Sequence, residues 1–287
     1  MNEEQPCLTK DFWVSLWRDA AGASILRRTQ QEAPERWKRF YDEVSRDWDR
    51  LSGAAGQLGP RVRDFLIHRE RLLTPGAAVL DVGCGTGALA LPLAQAGLRV
   101  TALDDSQGML AILEQRARRR GVPGITVHRG SWSEYVPRRG FDLAVAGFFP
   151  PAWEPEGLAR LERLSARLCL LVAPAGEDPF PIRGQLWAGI MGKALARRRF
   201  LLPYLINYLL ASDRRPNLRH LSWNARLEVP LDRAESFYRK YFALLGREGP
   251  AVEKRIRDTL TGHAQGGRLR SRGRAEAALL WWTVPRS

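Results

Sequence analysis

The residues best placed to do chemistry lie in one short stretch, Ala78-Val79-Leu80-Asp81-Val82-Gly83-Cys84-Gly85-Thr86-Gly87-Ala88. An apolar run carrying an acid is followed by three glycines at alternate positions. Ala88 then opens a new apolar pattern. Glycines spaced in this way allow a tight turn after a strand and let a ligand approach the main chain without meeting a Cβ. The stretch predicts a cradle for a small-molecule cofactor at a strand-to-helix turn. Asp104 follows about twenty residues on, where an acid ending the second strand can take the two hydroxyls of a ribose.

Taken literally, Gly83 to Ala88 also satisfies the G-x-G-x-x-G/A fingerprint of dinucleotide sites. Asp81, two residues before the first glycine, argues against a dinucleotide, because its carboxylate would repel a pyrophosphate. The same carboxylate suits a ligand that brings an ammonium group to the loop. S-adenosylmethionine has that ammonium, a sulfonium and no phosphate, and it is the cofactor expected here. A nicotinamide-dependent dehydrogenase is the alternative that the loop by itself leaves open.

Val79 to Gly87 resembles the first motif of the class I S-adenosylmethionine-dependent methyltransferases. Val100-Thr101-Ala102-Leu103-Asp104-Asp105-Ser106, with Met109 after it, is similar to their second motif, and Phe141-Asp142-Leu143-Ala144-Val145 to the strand that follows. The resemblance covers about Thr74 to Ala173. It implies that Asp81, Gly83, Cys84, Gly85 and Gly87 hold the methionine moiety and that Asp104 holds the ribose. Asp105, Ser106 and Met109 would then lie near the ribose and adenine. Where the family often has an acid for the adenine amine, this chain has Ser131 and Trp132, so a backbone carbonyl would replace the acid and Trp132 would flank the base. Gly147 and Phe148 would stand where the methyl group meets its acceptor.

The elements that must position these residues follow from the apolar pattern. Strands are expected at Ala78–Val82, Val100–Leu103, Ile125–His128, Phe141–Ala146, Leu168–Ala173, His220–Val229 and Ala277–Val284. Single helices follow the first, second and fourth of them, over Ala88–Ala96, Gln107–Arg120 and Glu156–Arg167. That rhythm predicts an α/β fold, a Rossmann-like doubly wound and mostly parallel seven-stranded sheet. Residues 1–60, with Phe12, Trp13, Leu16, Trp17, Trp37, Phe40, Tyr41, Val44 and Trp48 at helical spacing, read as an N-terminal helical cap. Residues 61–177 and 216–287 form the sheet domain. Residues 178–215, which include the run Arg197-Arg198-Arg199, read as a helical lid inserted after the fifth strand. Gly262 to Arg274, rich in glycine and arginine, reads as a mobile loop.

Composition bounds the function. The chain has 287 residues, 45% of them hydrophobic and 26% charged, with a formal net charge of +14. A basic surface attracts nucleic acid, acidic headgroups or anionic substrates. Cys7, Cys84 and Cys169 make neither a disulfide framework nor a spaced metal site. The polar start Met-Asn-Glu-Glu-Gln does not read as a signal peptide, and no apolar stretch nears the roughly 20 residues that cross a bilayer. The expectation is a cytoplasmic protein with no metal.

The acceptor is sought after the fourth strand, in Gly147-Phe148-Phe149-Pro150-Pro151-Ala152-Trp153. Amino-methyltransferases carry Asn/Asp-Pro-Pro-aromatic there, whereas Phe149 and Ala152 occupy the polar and aromatic positions here. Cys169, inside the fifth strand, is badly placed for cytosine C5 chemistry. Phe148, Phe149 and Trp153, joined by Trp187, Tyr204 and Tyr208, could instead build an apolar pocket, with His220 as the candidate base. A small-molecule acceptor is the leading expectation. RNA is the alternative, and a non-catalytic cofactor-binding or membrane-surface protein the third reading.

Overall fold

The computed structural model describes residues 9–52, 56–194 and 201–285. Cys7, residues 53–55 and the run Arg197-Arg198-Arg199 lie outside the described residues. Eight strands form one sheet in the order β3-β2-β1-β4-β5-β8-β6, with the short β7 paired to β8 off this path. The first five are β1 (Ala78–Val82), β2 (Arg99–Asp104), β3 (Ile125–Arg129), β4 (Phe141–Gly147) and β5 (Ser165–Pro174), and all are parallel. β6 (Asn217–Pro230), β7 (Ala264–Gln265) and β8 (Arg268–Thr283) add antiparallel pairings. The sheet is the Rossmann-like one expected, with β7 as an eighth strand.

Helices lie on both faces, which is why β1 and β4 are apolar nearly throughout. One face packs against α3 (Pro34–Ser52), α4 (Leu58–Asp64) and its π-helical extension Phe65–Arg69, α5 (Ala90–Gln95) and α6 (Gln107–Arg119). It also carries α8 (Pro181–Met191), α10 (Leu231–Ala243) and α11 (Pro250–Thr261). The other face packs against α1 (Lys10–Ala23), α7 (Pro155–Leu164) and α9 (Leu201–Leu210). α2 (Ile25–Glu32) links α1 to α3. The segment read as one inserted lid thus contributes to both layers, α8 to the first and α9 to the second.

The expectation of a mobile loop over Gly262 to Arg274 is corrected. Gly266 and Gly267, with φ of 56° and 71°, form a two-residue hairpin turn between paired Gln265 and Arg268. Two consecutive left-handed residues match the twist of the strands that they join. β8 therefore starts at Arg268, and its first half is strand. β8 pairs with β5 only from Ala277 to Thr283, but with β6 from Arg268 to Trp281. The β6–β8 ribbon consequently projects past Pro174, beyond the carboxyl edge of the parallel strands.

Candidate cofactor site

The glycine loop leaves β1 at that carboxyl edge. Gly83, Gly85 and Gly87 all have left-handed backbones, with φ of 64°, 51° and 83°. The amides of Gly83 and Cys84 donate to the Leu103 carbonyl at 2.8 and 3.1 Å, which ties the loop to the end of β2. A Cβ on Gly83 would lie 2.2 Å from the Phe149 ring, so glycine is required there by space as well as by backbone. Asp104 closes the other side. Its Oδ2 accepts from the Gly85 amide at 2.8 Å and its Oδ1 from the Ser106 amide at 2.9 Å. Ser106 caps α6 by accepting from the Met109 amide at 3.2 Å.

α3 clamps this turn, a role that the sequence reading missed. Asp42 Oδ1 accepts from Ser106 Oγ at 2.7 Å and from the Gly108 amide at 2.8 Å. Asp49 Oδ1 accepts from Thr86 Oγ1 at 2.6 Å, and Asp49 Oδ2 pairs with Arg116 of α6. Gly108 allows the approach, since a Cβ there would stand 2.7 Å from the Asp42 carbonyl oxygen. The signal was present in the sequence. Asp42, Ser45 and Asp49 follow one another at i, i+3 and i+7, a polar stripe on one helix face.

The electrostatics of the turn are set by a cluster of acids. Asp81 is 1% exposed, and its Oδ2 has no hydrogen-bond partner. Burial pushes its carboxyl up to about 8, with the Asp104 charge adding to the shift and the Ala90 amide opposing it. Asp104 is raised to about 6, first by burial and then by Asp105 and Asp42, against the two amides that it accepts from. Asp105 is raised by burial, with Lys38 opposing. Tyr41 of α3 is raised chiefly by burial, and then by Tyr241 and the charges of Asp104 and Asp105. Burial raises the Cys84 and Cys169 thiols as well, so neither is a ready nucleophile. Acids this close together disfavour an anion and favour a cationic ligand.

The end of β4 supplies the opposite wall. Phe148 has φ of 51°, uncommon for a bulky residue, and its amide donates to the Val172 carbonyl at 2.8 Å. Phe149 lies against Gly83 and meets Trp132 edge-on, with ring centroids 5.5 Å apart. Trp153, at the end of the 3₁₀ turn Pro150–Trp153, buries an indole N–H that has no partner. Phe149, Trp132, Trp153 and Tyr204 all border the same apolar cluster. Ser131 is half-buried and shares a 2.6 Å hydrogen bond with Ser133.

Other expected residues stand elsewhere. Tyr204 packs edge-on against Trp13 and Trp17 of α1, and Tyr208 donates to the Pro155 carbonyl at 3.4 Å. Trp187 belongs to the opposite face, 6.4 Å from the Phe242 ring. His220 is exposed on β6, four strands from β1 in the sheet order, or roughly 19 Å at the usual strand spacing. The structure does not bring His220 to the loop.

Comparison with known proteins locates the chain among relatives. Residues 79–168 match the family model described as a methyltransferase domain. The ubiquinone biosynthesis O-methyltransferase of Vibrio cholerae is 36% identical over 100 residues, 34% of this chain and 40% of that protein. The chloroplastic magnesium protoporphyrin IX methyltransferase of Arabidopsis thaliana is 37% identical over 87 residues, 29% of this chain and 27% of that protein. The magnesium protoporphyrin IX methyltransferase of Synechocystis PCC 6803, solved with bound SAM, aligns at 16% identity and a TM-score of 0.46. That alignment covers 99% of this chain and 100% of that one. The two matched sequences are each spanned over 40% of their length or less.

Proposed function

We propose, from the match of residues 79–168 to a methyltransferase domain and their resemblance to the class I S-adenosylmethionine-dependent enzymes, that this chain transfers a methyl group to a small organic acceptor by in-line displacement. The observation that carries the reading is the Asp81 carboxylate, buried beneath the glycine loop with one oxygen unpartnered. Its neighbours Asp104, Asp105 and Asp42 give the turn a surplus of acid. A donor with an ammonium and a sulfonium relieves that surplus, whereas a pyrophosphate would add to it. The residues fit the donor.

In this reading Asp81 holds the ammonium group and the amides of the Gly83–Gly87 turn approach the methionine moiety. Asp104 takes the ribose hydroxyls, with Asp105, Ser106 and Met109 around the nucleoside, and Ser131 and Trp132 beside the adenine. S-adenosylmethionine, when bound, supplies an electrophilic methyl on sulfur. Gly147 and Phe148 end β4 where the acceptor has to meet it, and Phe149, Trp132 and Trp153 exclude water from that space. Gly147 to Trp153 contains no titratable side chain. This wall therefore aligns the acceptor by shape, and alignment is what a displacement at sulfonium demands of a protein. The aromatic lining favours a planar, apolar acceptor.

Calorimetry with S-adenosylhomocysteine and with NAD tests the donor assignment. Binding of the first alone is expected, weakened at least about ten-fold in Asp104→Ala, which loses the acid that positions both ligand and loop. Tighter binding of NAD would return the loop to the dinucleotide reading. Turnover on a small planar acceptor that is insensitive to salt supports the acceptor class, since binding to RNA falls steeply as salt rises.

A further inference from the structure

The face of β8 that carries Ala278, Leu280 and Trp282 is covered where it lies in the sheet, in the cluster beneath α7 and α9. The same face continues past the carboxyl edge through Arg274, Arg272, Arg270 and Arg268, at alternate positions. There it is open. Arg270, Arg272 and Arg274 are exposed, as is Arg226 on the neighbouring strand. Pairing across the ribbon sets Arg226 directly opposite Arg272 and Glu228 opposite Arg270. Glu228 is shared by Arg268 and Arg270, at 3.0 and 3.1 Å. Arg274 bonds Ser222 Oγ at 2.7 Å and lies 3.6 Å from Glu276. Arg226 and Arg272 have no carboxylate or hydrogen-bond partner among the described residues, and like charges directly opposite on a ribbon destabilise it. Three of the five guanidiniums therefore share Glu228 and Glu276 and two stand without a carboxylate, in rows about 20 Å long at the usual rise per residue.

We propose that this outer face of the β6–β8 ribbon docks the protein on an anionic lipid surface. Over its overhanging stretch the face is polar, with five guanidiniums set among Glu228, Glu276, Ser222 and Asn224. The only ring on the β6 side of this face, His220, lies back at the Ala278 pair, so the overhang offers no aromatic platform for a base, as single-stranded nucleic acid binding requires, and a layer of anionic headgroups needs charge alone. The ribbon also overhangs the edge at which the glycine loop and Phe149 stand. A protein held by this face presents its aromatic acceptor wall near the bilayer, where planar apolar molecules concentrate. The delivery of acceptor rests on the methyl-transfer reading; the docking itself does not.

Co-sedimentation of the full chain with phosphatidylglycerol-containing vesicles, and with vesicles of phosphatidylcholine alone, tests the docking. Only the anionic vesicles should take up the protein, and less of it as salt rises. Arg226→Gln with Arg272→Gln should weaken that uptake on the order of 25-fold, at about five-fold per guanidinium. The melting temperature should hold or rise, because a like-charge pair is removed. Arg119→Gln with Arg120→Gln, exposed at the far end of α6, removes the same charge and should change uptake by less than about two-fold. Absence of uptake by anionic vesicles, or an equal loss in both double variants, overturns the proposal. So does a labelled RNA oligonucleotide that the ribbon variant alone fails to bind while its vesicle uptake is unchanged. S-adenosylhomocysteine should bind all three proteins equally; failure of that binding breaks the methyl-transfer reading and leaves the vesicle result standing.

Discussion

The two sides of the site are built from opposite materials. The side proposed to face the donor is polar and pinned: buried Asp81, half-buried Asp104 and exposed Asp105, with Asp42 and Asp49 reaching in from α3 and backbone amides between them. The side proposed to face the acceptor is made of rings, with Phe149, Trp132 and Trp153 against one apolar cluster and Phe148 against the other, an unpartnered indole N–H, and no acid or base in Gly147 to Trp153. A fixed ligand with fixed charges can be met by a fixed constellation. An acceptor that only has to be held in line can be met by shape, so its wall is free to vary while the donor wall is not.

The contrast is sharpest where the walls touch. Gly83→Ala should abolish S-adenosylhomocysteine binding, a loss of at least about 100-fold, because the new methyl would stand 2.2 Å from the Phe149 ring and φ there is 64°. Gly85→Ala, with open space around it and φ of 51°, carries only the backbone penalty of about 1 kcal/mol. The double variant Gly83→Ala with Phe149→Ala separates the two causes. Binding restored to the level of Gly85→Ala means that the ring is the obstacle; binding still absent means that the donor wall fails by itself. Calorimetry on the four proteins reads both outcomes.

Next in size is the effect of Asp81. Its folded carboxyl sits near 8 where an exposed one sits near 3.8. A cationic ligand favours the carboxylate, so below pH 8 binding should release a proton. Affinity should therefore rise with pH, by up to about ten-fold per unit, and level off above 8. Calorimetry in buffers of different ionisation enthalpy counts the proton directly. Asp81→Asn should lose the part of the pH dependence that lies between about 6 and 8, leaving that of Asp104 below it, and weaken binding about ten-fold or more. The sign for stability is the reverse. A raised carboxyl makes the folded state bind the extra proton, so above the unfolded value of 3.8 it lowers stability as pH rises toward 8. The free Asp81→Asn protein should be more stable at pH 7, read as a higher melting temperature. A variant that is neither more stable nor weaker in binding would remove the charge argument from the donor wall.

The same contrast explains what the sequence disclosed. β1 was legible to the residue because a parallel strand buried on both faces is an apolar run, broken here only by Asp81 and bounded by Gly76 and Gly83. The loop was legible because left-handed backbone and close approach leave little choice but glycine. The clamp was not, since the Thr86–Asp49 hydrogen bond joins residues 37 apart and no local pattern encodes its far partner. The first half of β8 was hidden for a different reason. Alternating arginines read as a solvated loop until the Gly266-Gly267 turn is seen to pair them with β6. His220 shows the limit on the acceptor side, where residue type pointed to a base and sheet order put it four strands away.

Phe148 carries the smallest expected change in stability and the finest test of the acceptor wall. It holds a left-handed backbone, φ of 51°, as the loop glycines do, but with a bulky side chain. Such strain costs about 1–2 kcal/mol and persists only where the surroundings impose it. Asparagine tolerates that conformation far better. Phe148→Asn should recover much of the strain and forfeit a similar amount of burial from a half-buried ring, about 1–2 kcal/mol. The net shift in stability should stay within about 1 kcal/mol by urea denaturation. Cofactor affinity should also hold, because no atom of the donor wall moves. Turnover should fall by about ten-fold or more, with KM for the acceptor rising, since the ring that the strain places at the end of β4 is gone. A variant of unchanged turnover would put the acceptor away from β4, and the two walls would then not face one another across the transferred methyl.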